Sequence, residues 1–337
     1  MKLLILGGGV FLGAAVLQAA RARGDAVSVF TRGRACSVWP QGVEALYGDR
    51  DGDLSAIDGR RWDAVIDTSG YLPAQLHAST AALRDCDRYL FVSSVSAYAS
   101  FAHAPVREAD PLASSTHIEP GDRSGEAYGA QKAACERVLQ TRFDARALIV
   151  RPGLIVGPGD RTGRFSHWPW RCADGGEMLV PDVPAPARLQ VIDVRDLAAW
   201  LLVLLDAQAE GVFNATGPLD ATGCDWPTLM STCAAVVEAS GRQPAVPVAV
   251  SEAFLAEHRV EPWSDLPLWL PSSDAAYAGF MQIDLERARA AGLRTRPLAQ
   301  TLDAILEEGV PSPGEPRRRG ALDPKREAEL IAAWRAA

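Results

Sequence analysis

The chain has 337 residues and a formal net charge of −8, from 34 Lys and Arg against 42 Asp and Glu. Its composition, 48% hydrophobic and 23% charged, is that of an ordinary globular protein long enough to bury a core without metal or disulfide crosslinks. The acidic balance disfavours a nucleic-acid partner, and no apolar run approaches the roughly 20 residues that cross a bilayer.

Short apolar runs alternate with helical patterns through the first half of the chain. Strands are predicted at Lys2–Leu6, Ala26–Phe30, Glu44–Tyr47, Ala64–Asp67, Arg88–Ser93 and Ala147–Arg151, and helices at Leu12–Arg23, Ala74–Leu83 and Ser124–Thr141. This alternation indicates parallel βαβ units and therefore an α/β fold with a Rossmann-type doubly wound sheet. Such sheets bind ligands at the carboxyl ends of their strands.

The second half is less regular and is interrupted by Trp- and Pro-rich segments. Leu189–Leu204 and Gly211–Thr216 are predicted to return to the first layer, and Pro324–Trp334 is predicted as a final helix. We expect one large domain of residues 1–160 and 188–216 and a smaller, mixed domain of residues 161–187 and 217–310. Residues 311–337 are expected to form a linker and the C-terminal helix.

The cysteines show no metal-ligand spacing. There are six of them, scattered at positions 36, 86, 135, 172, 224 and 233 without a Cys-x-x-Cys pair. Core or incidental thiols in a reducing cytoplasm explain this usage, so we expect a cytoplasmic protein without a metal site.

A glycine-rich turn follows the first strand and opens the first helix. Glycines let a backbone turn sharply and approach a pyrophosphate, which accepts hydrogen bonds from the free N–H groups of the helix. The turn predicts a dinucleotide site formed by Gly7, Gly9, Val10, Phe11, Leu12 and Gly13.

The residues after the second strand favour NADP(H), with NAD(H) as the alternative. A carboxylate there would accept a hydrogen bond from the 2′-hydroxyl of NAD. This chain instead has Thr31, Arg32 and Arg34, which suit a 2′-phosphate. The alternative is that the arginines are simply solvated on the surface. Asp49 is a candidate acceptor for the adenine amino group. Asp67, Thr68 and Ser69, after the fourth strand, would lie under the phosphates and riboses; each of these stretches could equally be a capped turn.

A serine, a tyrosine and a lysine that could carry acid–base chemistry follow the glycine turn in the sequence. Ser94 comes after the fifth strand, and Tyr128 and Lys132 share one face of the next helix because they are four residues apart. A lysine ammonium favours the phenolate of a tyrosine, whose unperturbed pKa is about 10, and makes it usable as an acid or base.

With these motifs, the chain resembles an extended short-chain dehydrogenase/reductase of the NAD-dependent epimerase/dehydratase family, in a divergent Gly-Gly-x-x-Phe-Leu-Gly branch. The resemblance spans about residues 1–216. It implies that Tyr128 is the catalytic acid/base, that Lys132 binds the nicotinamide ribose, and that Ser94, or less favourably Ser96, orients a carbonyl. Pro152 would line the nicotinamide, and the smaller domain would bind the substrate.

Two positions depart from the family pattern. Val10 stands where the family usually has glycine, so the phosphates could sit slightly differently. Leu189, with Arg188 beside it, stands where nucleotide-sugar epimerases typically have arginine. This difference weakens the case for a nucleotide-sugar substrate without excluding it.

The resemblance places the substrate pocket after the sixth strand, where the residues are aromatic and basic. Such a lining would suit a planar or anionic substrate, although packing explains the tryptophans equally well. The candidates are Phe165, His167, Trp168, Arg171 and Arg188, with Arg164 in the same run, whereas Trp263 is interpreted as a packing residue.

The favoured function is hydride transfer between a nicotinamide and a carbonyl or secondary alcohol of a small molecule. One alternative is a nucleotide-sugar or related epimerase/dehydratase that retains its cofactor. The other is a non-catalytic NADP-binding regulatory protein, although such relatives tend to lose the tyrosine or the lysine. The family resemblance also implies a homodimer through helices that include Ser124–Thr141.

Overall fold

The structure, a computed structural model, describes residues 1–34, 38–184, 187–218, 223–312, 315 and 321–337. The strands in these ranges are β1 (Lys2–Leu6), β2 (Ala26–Thr31), β3 (Glu44–Tyr47), β4 (Ala64–Asp67), β5 (Arg88–Val92), β6 (Ala147–Pro152), β7 (Leu154–Val156), β8 (Glu177–Asp182), β9 (Val191–Asp193), β10 (Gly211–Ala215) and β11 (Val246–Ser251). The helices are α1 (Phe11–Ala22), α2 (Pro73–Ala82), α3 (Gly125–Phe143), α4 (His167–Ala173), α5 (Val194–Asp206), α6 (Trp226–Ala239), α7 (Glu252–Glu257), α8 (Glu286–Ala290), α9 (Leu298–Glu307) and α10 (Pro324–Ala336).

Seven parallel strands form the central sheet in the order β3-β2-β1-β4-β5-β6-β10. The order reverses between β1 and β4, so ligands are expected at the carboxyl ends of these two strands. Residues Leu3–Leu6 of β1 are fully buried because helices cover both faces of the sheet. Helices α1 and α5 pack on one face and α2 and α3 on the other. The predicted doubly wound α/β fold is therefore confirmed.

A second hydrophobic core lies beside the sheet. It is built from α4, α6, α7, α9, α10 and the two parallel strands β8 and β11, around the indole rings of Trp168, Trp170, Trp226 and Trp269. Helix α10 is tied to this core by an ion pair between Arg171 and Glu327, with Nε and Oε2 2.6 Å apart. Ala288 and Leu293 pack instead on the α1/α5 face of the sheet, although the sequence division assigns them to the smaller domain. The exact domain boundaries stay a prediction.

Several elements differ from the expectations. Leu189–Leu204, predicted as one piece, contains the short strand β9 followed by α5, and the strands β7, β8 and β11 were not predicted. The cysteines 86, 135, 172, 224 and 233 are buried, which confirms the core interpretation for these five, whereas Cys36 and most of the linker 311–320 lie outside the described residues. In the described part of the chain, no helix is long and apolar enough to cross a bilayer, and no group of three or more His, Cys, Asp or Glu could hold a metal ion.

Candidate active site

A cavity of about 650 Å³ opens at the carboxyl ends of β1, β2, β4, β5 and β6. All predicted cofactor residues except Asp67 line it, and so do Ser94, Ser96 and Tyr128. Residues separated by more than a hundred positions thus meet where the strand order reverses.

The glycine turn at one side of the cavity leaves room and donors for a phosphate. A Cβ on Gly13 would lie 2.1 Å from the carbonyl oxygen of Gly7, and Gly7 itself has a φ of +96°. Helix α1 begins after Val10 without a side-chain cap and without an acidic residue in its first turn, so its N–H groups remain available. Val10 has an extended φ of −146°, which any residue adopts, so glycine is not required there. These features fit a dinucleotide pyrophosphate.

The end of β2 presents two arginines to the same cavity. The backbone N–H of Gly33 donates to the Thr31 hydroxyl over 3.2 Å and closes a turn in which Gly33 has a φ of +72°. Arg32 and Arg34 flank this turn, both exposed and both lining the cavity. Their guanidinium groups match a phosphate in charge and geometry.

Asp67 does not line the cavity, in contrast to the prediction. It is fully buried, and its two carboxylate oxygens accept from Arg50 Nη1 at 2.5 Å and Nη2 at 2.7 Å. The Arg50 guanidinium holds the pKa of Asp67 below its usual range against the opposing effect of burial. Arg50, which the sequence analysis missed, lines the cavity and also donates to Ser69 Oγ at 3.1 Å. Asp67 therefore acts on the site indirectly, through Arg50 and through the backbone N–H of Ser69, which donates to Asp67 Oδ1 at 3.0 Å.

Thr68 and Asp49 line the cavity and also hold their own turns. The Thr68 hydroxyl donates to the Leu6 carbonyl at 3.0 Å, and Asp49 Oδ1 accepts from the backbone N–H of Asp51 at 3.1 Å. Each side chain therefore stabilises a turn and also lines the cavity, where it could contact a ligand, so the two interpretations of the sequence are compatible.

Lys132 is buried beneath Tyr128 on α3. Its Nζ donates to the carbonyl oxygen of Gly70, which follows β4, at 2.8 Å. It also donates to the carbonyl oxygen of Val92, the last residue of β5, at 2.7 Å. An ammonium has three N–H donors, so one remains for a ligand in the cavity that Lys132 lines. The lysine thus fixes α3 against the sheet and can still donate to a ribose hydroxyl.

The protonation of this pair differs from the expectation of an accessible phenolate. Burial raises the pKa of Tyr128 to about 12, while hydrogen bonding to Ser94 and the positive charge of Arg164 oppose the shift. Burial lowers the pKa of Lys132 to about 8. Without a bound ligand, Tyr128 is therefore a protonated phenol at neutral pH, suited to donating a proton.

The turn that presents Ser94 lies directly against α3. Ser94 Oγ accepts from the backbone N–H of Ser96 at 3.1 Å and caps the short 3-10 turn Val95–Ala97. A Cβ on Gly129 would lie 2.0 Å from the carbonyl oxygen of Ser96. The glycine next to Tyr128 therefore allows the close approach that brings Ser94 to the phenol.

Of the residues predicted to form the substrate pocket, Ser96 and Arg164 line the cavity. Phe165 and Trp168 are buried in the second core because α4 turns them inward, and His167 packs against the Trp168 ring at 5.0 Å. Arg171 is engaged by Glu327, and Arg188 is exposed beside Gly223. These five residues therefore do not line the cavity.

Another wall of the cavity is formed by residues that the sequence largely did not indicate. They come from the loop before α4 and from two distant segments; we call them the substrate wall: Asp160, Thr162, Arg164, Trp263 and Phe280. Only Arg164 lay within the run that the sequence had singled out. Trp263, interpreted as packing, packs on the second core and lines the cavity as well.

Comparison with known proteins agrees with this geometry. Residues 64–216, from β4 through the residue after β10, match the NAD dependent epimerase/dehydratase family. The family match includes Ser94, Tyr128, Lys132 and Pro152, whereas the glycine turn and the arginines after β2 precede it.

A curated protein similar to this chain is the 2'-dehydrokanamycin reductase of Streptomyces kanamyceticus, 29% identical over 223 residues. The alignment covers 63% of this chain and 60% of the reductase, so the chain matches about three fifths of that protein's length.

Solved structures share the fold over about nine tenths of the chain. The Bordetella bronchiseptica enzyme WbmH in complex with NAD+ is 17% identical with a TM-score of 0.65, covering 92% of this chain and 100% of that one. The UDP-N-acetylglucosamine 4-epimerase of Bacillus cereus is 14% identical with a TM-score of 0.60, covering 90% and 98%. The human epimerase family protein SDR39U1 with NADPH is 19% identical with a TM-score of 0.58, covering 91% and 99%.

Proposed function

We propose that the protein is an NAD(P)-dependent reductase of the extended short-chain dehydrogenase/reductase type that reduces a carbonyl group of a small molecule. The observation that carries this proposal is the convergence of Ser94, Tyr128 and Lys132 on one cavity with the uncapped start of α1. The Streptomyces reductase, as the curated relative, supports the same class of reaction.

The chain's own residues would bind and protonate the substrate. When bound, a nicotinamide supplies a hydride to the carbonyl carbon. Ser94 orients the carbonyl oxygen by donating a hydrogen bond, and Tyr128 transfers its phenolic proton to that oxygen, which leaves an alcohol and a tyrosinate. The Lys132 ammonium stabilises the tyrosinate until a proton from solvent restores the phenol. Burial raises the pKa of Tyr128 to about 12, so the residue begins the reaction as a phenol that carries the proton to be donated.

NADP(H) is the proposed cofactor because Arg32 and Arg34 face the cavity at the end of β2. Calorimetric titration with NADPH, NADP⁺, NADH and NAD⁺ tests this choice. We expect NADPH to bind most tightly, and the Arg32→Ala variant to lose affinity for NADPH but not for NADH. Equal affinity for NADH in the unchanged protein would contradict the preference.

The alternatives have weaker support. A nucleotide-sugar epimerase typically places an arginine at the position of Leu189, and here the neighbouring Arg188 does not line the cavity. A regulatory protein without activity would not need Tyr128 and Lys132 in the cavity. The homodimer and the cytoplasmic location stay predictions from the sequence.

Turnover is tested by following NADPH oxidation with a panel of aldehydes and ketones that includes 2'-dehydrokanamycin. We expect Tyr128→Phe to abolish turnover with nearly unchanged NADPH affinity. Tyr277→Phe is the matched control, because Tyr277 is 45% exposed and does not line the cavity. Full activity of Tyr128→Phe would refute the mechanism.

A further inference from the structure

The substrate wall contains an arginine whose outer nitrogens are unused. Arg164 Nε donates to Thr162 Oγ1 at 3.3 Å, and Thr162 Oγ1 in turn donates to Asp160 Oδ2 at 3.0 Å. Among the described residues, no carboxylate lies within ion-pair distance of the Arg164 guanidinium. Thr162 also holds Asp160 through its backbone N–H, at 2.8 Å, and among the described residues the two outer nitrogens of Arg164 make no hydrogen bond or ion pair.

Arg164 lies between an aromatic face and the proton donor. Its guanidinium carbon is 5.9 Å from the centroid of the Trp263 ring, and its charge acts on the phenol of Tyr128. A planar guanidinium with two free, parallel N–H groups is the side-chain geometry that binds carboxylates and phosphates. In a partly enclosed cavity, such a contact is screened less than on an open surface.

The neighbouring aromatic residue is held in a conformation that bulky side chains rarely adopt. Trp263 has a φ of +65°, and its backbone N–H donates to the Trp269 carbonyl at 3.1 Å. Its ring meets the Phe280 ring edge-on at 5.4 Å. A left-handed backbone at a non-glycine residue costs free energy and persists only where its surroundings fix it, which is common at ligand sites. Here it places an indole ring in the cavity wall.

We propose that the substrate is a ring-containing carbonyl compound with an anionic group, in which Arg164 binds the anion and Trp263 packs against the ring. This inference rests on the proposed reductase function, for which it names the substrate class. A cationic substrate would bring a like charge to Arg164, and a neutral substrate would leave its guanidinium without an acceptor.

The test uses three benzaldehydes that differ in the charge of the group opposite the aldehyde. They are 4-formylbenzoate (anionic), methyl 4-formylbenzoate (neutral) and 4-(trimethylammonio)benzaldehyde (cationic). In the unchanged protein with NADPH, we expect kcat/KM to be about tenfold or more higher for the anion than for the neutral ester, the effect of one charge-assisted contact. Arg164→Gln should remove this preference, mainly through KM.

A matched control and a binding measurement make the test decisive. Arg161→Gln should keep the preference, because Arg161 is exposed in the same loop and does not line the cavity. Binding of 4-formylbenzoate to the complex of the protein with NADP⁺ is measured by calorimetry, independently of turnover, and should weaken in Arg164→Gln. Trp263→Leu should weaken binding of all three probes, and Trp263→Phe should largely restore it.

The outcomes separate the inference from the function on which it rests. Anion binding that depends on Arg164 without any turnover would keep the inference and overturn the reductase proposal. Turnover that is equal for the three probes, or best for the neutral or cationic one, would keep the reductase and overturn the inference. Absence of 4-formylbenzoate binding would likewise overturn it.

Discussion

A buried ion pair one turn beyond Lys132 should hold α3, the helix that carries Tyr128 and Lys132, on the sheet. Glu136 of α3 and Arg151 of β6 have side chains that are 0% and 3% exposed, respectively. Arg151 Nη2 donates to Glu136 Oε2 at 2.6 Å and Nε to Oε1 at 3.0 Å, and Nη1 donates to the Glu108 carbonyl at 3.1 Å. Removing one partner of such a pair leaves an uncompensated buried charge, which costs about 3–5 kcal/mol.

The prediction is that Glu136→Leu lowers the free energy of unfolding by this amount, about 3–5 kcal/mol. Replacing both residues, as Glu136→Leu with Arg151→Met, removes the buried charge altogether, so the double variant should be more stable than Glu136→Leu alone. The two changes should therefore be coupled by about 2 kcal/mol or more, since residues in direct contact are not additive.

Urea unfolding followed by circular dichroism measures these free energies, with the slope of the transition compared between variants. Asp87→Ala is the control: Asp87 pairs with Arg61 at 3.2 Å, but both side chains are more than half exposed, so the change should be less than about 0.5 kcal/mol. Additive losses in the double variant would refute the reasoning.

Three further predictions concern the cavity. Gly129→Ala should lower kcat by about 100-fold with little change in NADPH affinity. The reason is that the Cβ of an alanine at this position would lie 2.0 Å from the Ser96 carbonyl oxygen and would displace Ser94. Steady-state kinetics and calorimetry on the same variant check this. NADPH affinity should fall as pH rises through about 8, because the buried Lys132 loses its proton there. Lys132→Met should abolish this pH dependence. A calorimetric affinity that does not change with pH in the unchanged protein would contradict the prediction. Arg123 forms an exposed ion pair with Asp51 at 3.2 Å beside the cavity. Arg123→Ala should therefore speed NADPH release by about threefold at low salt but not at high salt, where the ion pair is screened. Stopped-flow measurements check this.

Local patterns were sufficient to predict the sheet and most of the cofactor side of the cavity. Each of the strands β1 to β6 is a short apolar run, and the glycines, serines and arginines that matter follow these strands directly in the sequence. Asp67 was the exception, because its partner Arg50 follows a different strand and the pairing depends on the position of β3 relative to β4. Buried ion pairs of this kind have no local signature.

The substrate side could not be predicted because its residues meet only through the tertiary fold. Trp263 and Phe280 lie about a hundred residues after Arg164, and their backbones give no periodic pattern. The aromatic run after β6 was misleading: α4 is short, and its Trp168 faces the second core. Strands β8 and β11 also escaped prediction, since proline interrupts both, as Pro181 and Pro247.

The substrate wall comes from segments that add no strand to the central sheet. Residues 160–164 follow β7, Trp263 follows α7, and Phe280 precedes α8. Exchanging these side chains would leave the glycine turn and the contacts of Lys132 intact. The protein could therefore diverge in the compound it accepts while the proposed hydride chemistry stays constant. A mutant library restricted to these five positions would explore new substrates with the proposed cofactor site preserved.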